Sequence, residues 1–126
     1  MNLPEKVIAA LEGLVHQVVK ELPKEFLEKI ENVGFVVESW PTYEDLQSIK
    51  VEHARMLFGL YRGVPKTKRT TSYSSLPDKI VIFAGPILSA SRSVEEAKQR
   101  IKNTVLHEIG HHFGLSDKQI YSAMGI

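Results

Sequence analysis

The segment His107-Glu108-Ile109-Gly110-His111-His112-Phe113-Gly114-Leu115-Ser116-Asp117 constrains the local fold more than any other part of this chain. At about 100° per residue, His107 and His111 lie ~40° apart on one helix face, one turn apart, so two imidazoles can converge on one ion. Glu108 projects ~100° away from His107, too far round to ligate beside it, yet able to reach a water held by that ion, where a general base belongs. Gly114 can adopt the left-handed backbone that stops a helix and swings the chain back. The return carries Asp117 toward the same ion as a third ligand. Three protein ligands with one open position is the catalytic pattern for zinc, whereas structural sites are closed by four.

The plain alternative is a surface helix that ends in histidines, which the helix dipole favours near a C-terminus. Chance alone produces a bare H-E-x-x-H in roughly one chain of this size in a few hundred. Requiring Gly and Asp at the two further positions makes coincidence on the order of a hundredfold rarer again, which decides for the metal.

Composition sets the bounds around this segment. At 126 residues the chain is expected to form a single domain spanning 1–126, with enough length to bury a core. The net charge of +1 gives no electrostatic case for nucleic acid or a membrane surface as partner. With no cysteine there is no disulfide, no thiolate metal site and no cysteine nucleophile. The apolar stretch from Val7 to Val19 is broken by Glu12 and His16 and is not followed by a cleavage site of small residues, so it does not read as a signal peptide. No run approaches the ~20 apolar residues of a membrane span, and the expected compartment is the cytoplasm.

Periodicity supplies the elements. Residues 4 to 22 repeat apolar side chains at a helical period, with Asn2, Pro4 and Glu5 as the start signal and His16 as a surface histidine. Pro23 ends this helix and opens a shorter one whose Phe26, Leu27 and Ile30 face inward. Val33 to Glu38, Met56 to Arg62 and Lys79 to Ala84 read as strands, closed by Trp40-Pro41 and Gly85-Pro86 at the ends of the first and third. Thr42 to His53 is mixed and reads as a short helix or loop. Gly63 to Asp78 reads as a long polar loop, with Lys66, Lys68 and Arg69 taken as a solvated trio. Ser93 and Glu96 form a capping box that starts a helix running to Phe113, buried through Val94, Ile101, Val105, Leu106, Ile109 and Phe113. Gly110 implies close approach by a neighbour, and His112 falls ~140° from His107, so it reads as a buried or capping histidine. Ser116 and Gln119 repeat the capping pattern and predict a closing helix from Asp117 to Ala123.

With these residues placed, the chain resembles the zincins, and more narrowly the small bacterial zincin-like metallopeptidases. The resemblance covers most of the sequence and rests on Leu57-Phe58-Gly59-Leu60-Tyr61-Arg62-Gly63-Val64-Pro65, Leu76-Pro77-Asp78-Lys79-Ile80, Gly85-Pro86 and Thr104 to Gly114. It implies a minimal α+β zincin-like domain: a small mixed β-sheet packed on an active-site helix, with N-terminal helices. It also implies one zinc ion per chain, held by His107, His111 and Asp117, with Glu108 as catalytic base acting on peptide or protein substrates. Asp117 stands where metzincins carry a third histidine. The methionine-bearing turn of metzincins has no clear counterpart, and Met124 is expected to be a core residue instead. A chain of this length is not expected to carry the lower subdomain of larger zincins, so substrate grip is expected to be weak or supplied by a protein partner.

Two other functions fit the same motif. A metal-dependent ribonuclease would use a comparable His-rich helix, but Glu108 is a built-in base for water attack and the chain lacks a strongly basic surface. A metal- or partner-binding module that has lost turnover would not need Glu108. Tyr73 and His112 are the candidates for stabilising an oxyanion, and the second or third strand is expected to offer an edge to an extended peptide.

Overall fold

The computed structural model describes residues 2–49, 57–62 and 78–125. Along the chain these form α1 (Glu5–Lys20), α2 (Lys24–Lys29), β1 (Val33–Glu38), α3 (Tyr43–Ile49), β2 (Gly59–Arg62), β3 (Asp78–Phe83), α4 (Ala84–Ala90), α5 (Val94–His112) and α6 (Asp117–Met124). The α+β architecture expected from the sequence is present. Its sheet has the order β1-β3-β2, with β1 parallel and β2 antiparallel to β3. A parallel pair needs a crossover between its strands, and α3 and β2 lie in that connection.

The amphipathic pattern of α1 buries Leu11, Val15 and Val18 along one face. Its start differs from the expected Asn2 cap: Pro4 is the N-cap, and its carbonyl accepts the N–H groups of Val7 and Ile8. Proline suits the place because it is already extended there and helical backbone begins only after it. Pro23 does the same for α2, accepting from Phe26 and Leu27. Phe26 and Ile30 are buried as expected.

The alternation of β3 divides the core in two. Ile80 and Ile82 face α1 and α5, in one cluster with Leu11, Val15, Ile101 and Val105. Val81 and Phe83 face the other way, toward Leu57, with Leu60 and Leu46 of α3 packed against them. Helices therefore cover both faces of a small sheet, which explains why β3 is fully buried along Ile80–Phe83.

Three further details depart from the sequence reading. The third strand stops at Phe83, and Gly85-Pro86 lies inside α4 rather than in a closing turn. Pro86 falls in the first turn of that helix, where no intrahelical acceptor is lost. Gly85 is required there, because a Cβ would run into the Trp40 ring. The buried side of α5 is shorter than expected: Val94, its first residue, is 59% exposed, and Phe113, just past its end, is 38% exposed. Finally, β3 is the central strand, so among the described residues only β2 of the two strands expected to offer an edge does so. Met124 packs against the core as expected. Among the described residues no helix is long and apolar enough to cross a membrane.

Candidate active site

The site is built on α5. Ser93 Oγ accepts the Glu96 N–H at 3.1 Å, which fixes the start of the helix. Ile101, Val105, Leu106 and Ile109 are completely buried. This seats the helix on the sheet and leaves His107 and Glu108 half-buried at its rim. The helix ends as Gly114 requires. Its φ is +72°, and the Leu115 N–H reaches back to the Gly110 carbonyl at 2.8 Å, the long bond of a Schellman turn.

Beyond the turn, Ser116 and Gln119 form a reciprocal capping box that starts α6 at Asp117. The neighbour implied by Gly110 is Ile120: a Cβ on Gly110 would lie 2.5 Å from the Ile120 side chain. Gly110 thus lets α6 fold flat onto α5, and Gly114 lets the chain turn to reach it. The two glycines should fail differently when changed. Gly114→Ala meets open space and should cost roughly 1 kcal/mol through its left-handed backbone. Gly110→Ala should cost about 1–3 kcal/mol by overpacking against a fully buried isoleucine. Urea unfolding of both variants checks the order. An equal or smaller loss at Gly110 would mean that α6 gives way freely.

The backbone of His111 lies in the last turn of α5 and that of Asp117 in the first turn of α6. Their side chains fall outside the described residues, as do Tyr73 and the Lys66, Lys68 and Arg69 trio. Of the expected site, the side chains of His107 and Glu108 are described. The His107 ring lies nearly perpendicular to that of Tyr121 of α6, with centroids 6.2 Å apart. A cleft of about 330 Å³ runs between α5 and the start of β2, with His107, Glu108 and Asn103 on one wall and Leu57 and Phe58 on the other.

Glu108 is held to the sheet. Its Oε2 accepts the backbone N–H of Tyr61 at 3.3 Å. The Phe83 N–H bonds to the Phe58 carbonyl, which sets the phase of the antiparallel ladder. Leu60 and Arg62 therefore direct their backbone groups inward to β3, while Gly59 and Tyr61 direct theirs outward along the edge facing the cleft.

The side chains of β2 pin this edge from both faces. Tyr61 donates its hydroxyl to Asp78 Oδ2 at 2.8 Å, and its ring stacks on His112 with centroids 3.7 Å apart. Arg62, on the opposite face, donates to both carboxylate oxygens of Asp45 and to Glu38. Burial pushes the Asp45 carboxyl up, but the Thr42 N–H, the Arg62 guanidinium and the Thr42 hydroxyl together hold it below the usual carboxylate range. His112 was expected to be buried or to cap the helix. Instead it is exposed and lies against Tyr61, with Nε2 3.9 Å from Asp78 Oδ2. Tyr61 stood in the sequence only as part of the Leu57–Pro65 segment, with no role of its own, and Tyr121 did not stand out at all.

The zincin-like metallopeptidase family matches residues 30–125, and the chain belongs to that family. Among solved structures, the fold is similar to that of a conserved hypothetical protein from Thermus thermophilus, with a TM-score of 0.57 and 21% identity, over 84% of this chain and 92% of that one. At this identity the likeness is one of fold. No curated protein matches the chain.

Proposed function

We propose that this domain is a zinc-dependent peptidase in which His107, His111 and Asp117 hold one zinc ion and Glu108 is the general base. The observation that carries the reading is the placement of the Glu108 carboxylate. It stands beside His107 in a cleft and is fixed to the backbone of the edge strand along which an extended peptide would lie.

The donor set suits the metal. Two imidazoles and one carboxylate leave a coordination position open, as in catalytic zinc sites. The aspartate also loosens the preference for zinc over iron or manganese, since carboxylates suit harder ions. The α5–α6 turn supports this set, because the close packing of Gly110 on Ile120 brings the start of α6 back to the end of α5. When bound, zinc supplies a Lewis acid that lowers the pKa of water toward about 7 and polarises a carbonyl.

The chain's own residues do the rest. The outward backbone groups of Gly59 and the outward carbonyl of Tyr61 align an extended substrate by strand addition, while the Tyr61 N–H stays with Glu108. Glu108 takes the proton of the attacking water and returns it to the nitrogen of the leaving amine as the C–N bond breaks. Tyr61 keeps the Glu108 carboxylate turned to the edge strand.

One zinc-loaded sample tests this reading against a nuclease. Peptide-library digestion should show weak cleavage of narrow specificity, while single-stranded and structured RNA should stay intact. A nuclease would need cationic groups to neutralise phosphates. RNA cleavage lost both in Glu108→Gln and in the Lys66/Lys68/Arg69 triple-alanine variant would replace the peptidase with a ribonuclease.

A further inference from the structure

The far end of the active-site cleft is lined by Arg100. It lies seven residues before His107, about 20° from it on the helix wheel and ~10.5 Å along the axis. Its guanidinium sits over the Phe58 ring, 5.6 Å from the centroid. Among the described residues, its buried Nε has no hydrogen-bond partner. The carboxylate paired with it there is Glu96, one turn earlier, at 3.7 Å, and both side chains of that pair are substantially exposed. Such a pair contributes little and yields readily to a better acceptor. Here, then, is a cation with hydrogen-bonding capacity to spare, fixed by an aromatic ring, in the same cleft as His107 and Glu108.

Resting on the peptidase reading above, we infer that Arg100 binds a substrate carboxylate about three residues from the bond that is cut. The spacing follows from the helix: ~10.5 Å along α5 matches about three residues of extended chain at ~3.3 Å each. A guanidinium fork suits a carboxylate, which it can grip with two parallel hydrogen bonds. Leu57 and Phe58 supply the apolar wall for the carbon chain that carries it. The carboxylate belongs either to an aspartate or glutamate side chain or to the peptide's own C-terminus. The chemistry at Arg100 is the same for both.

Binding to zinc-loaded Glu108→Gln, in which peptides are not consumed, tests the inference. Three sets of dansyl-labelled octapeptides serve as probes: a neutral amidated peptide, amidated peptides with glutamate at each position in turn, and the neutral peptide with a free C-terminal carboxylate. At least one carboxylate-bearing set should bind about tenfold tighter than the neutral amide. Which set does so identifies the source of the carboxylate. The preference should vanish when Arg100→Gln is added and fall to about threefold with Arg100→Lys, which keeps the charge but loses the fork. The lysine variant also decides the matter if the glutamine variant fails to fold. Equal binding of all three sets, no binding of any, or a preference that survives Arg100→Gln overturns the inference. Turnover by the enzyme with Glu108 intact is measured separately. A carboxylate preference without turnover would remove the peptidase reading and leave the Arg100 subsite standing, whereas turnover without the preference would do the reverse.

Discussion

Glu108→Gln should leave the zinc content and the fold unchanged while lowering peptide hydrolysis by a hundredfold to ten-thousandfold. An amide fills the volume of the carboxylate, and its oxygen can still accept the Tyr61 N–H that holds Glu108 to the edge strand. What it cannot do is take a proton from water. General base catalysis is typically worth about 10² to 10⁴ in rate, or roughly 3–5 kcal/mol of barrier. Metal analysis, circular dichroism and steady-state kinetics on one preparation check all three parts. Loss of zinc from this variant would make Glu108 a ligand, which its position ~100° round the helix from His107 argues against. Retention of most of the activity would place the base elsewhere in the cleft.

The positioning of Glu108 depends on residues on both sides of the sheet. Tyr61 faces α5, and Arg62, the next residue, faces α3, as strand alternation requires. Tyr61 touches the site through its backbone N–H, and Arg62 holds the same strand by bonding to Asp45 and Glu38. Asp45 is in turn fixed by a reciprocal capping interaction with Thr42 at the start of α3. The second face of the sheet therefore contributes to the site by keeping the edge strand still.

What could be read from the sequence was whatever depends on residues close together in the chain. Helix α5, the Gly114 turn and the Ser116–Gln119 capping box all arise within about thirty residues and follow from local rules. Strand β1 was equally plain, because Val33–Glu38 is a β-rich run closed by Trp40-Pro41. Helix α4 was hidden because Gly85-Pro86 ordinarily signals a turn. Its helical role becomes visible only once Trp40, 45 residues away, is seen lying against Gly85. Helix α3 carried its own signal in Thr42 and Asp45, obscured by the mixed stretch that follows. The contacts of Tyr61 with Glu108 and of Arg62 with Asp45 span 47 and 17 residues. No periodicity encodes such pairs, since they follow from sheet order and register. The central position of β3 was hidden for the same reason: a buried strand and a half-buried edge strand both read as apolar runs.

His107→Ala should abolish stoichiometric zinc binding, and the loss should show in stability as well as in metal content. A ligand that binds only the folded state stabilises it by about 4 kcal/mol when present at a thousandfold excess over its dissociation constant. For a domain of this size, that corresponds to a rise of more than about 10 °C in the unfolding midpoint. The parent protein should show this rise on adding zinc, and His107→Ala should show almost none, because two remaining ligands seldom retain a metal. Without zinc the two proteins should unfold at nearly the same temperature, since His107 is only half-buried and belongs to neither apolar cluster. That last comparison separates a ligand from a packing residue. A variant already destabilised without metal would give His107 a structural role through its contact with Tyr121. Full zinc occupancy in His107→Ala would remove it from the ligand set, and with it the geometry that places Glu108 beside the metal.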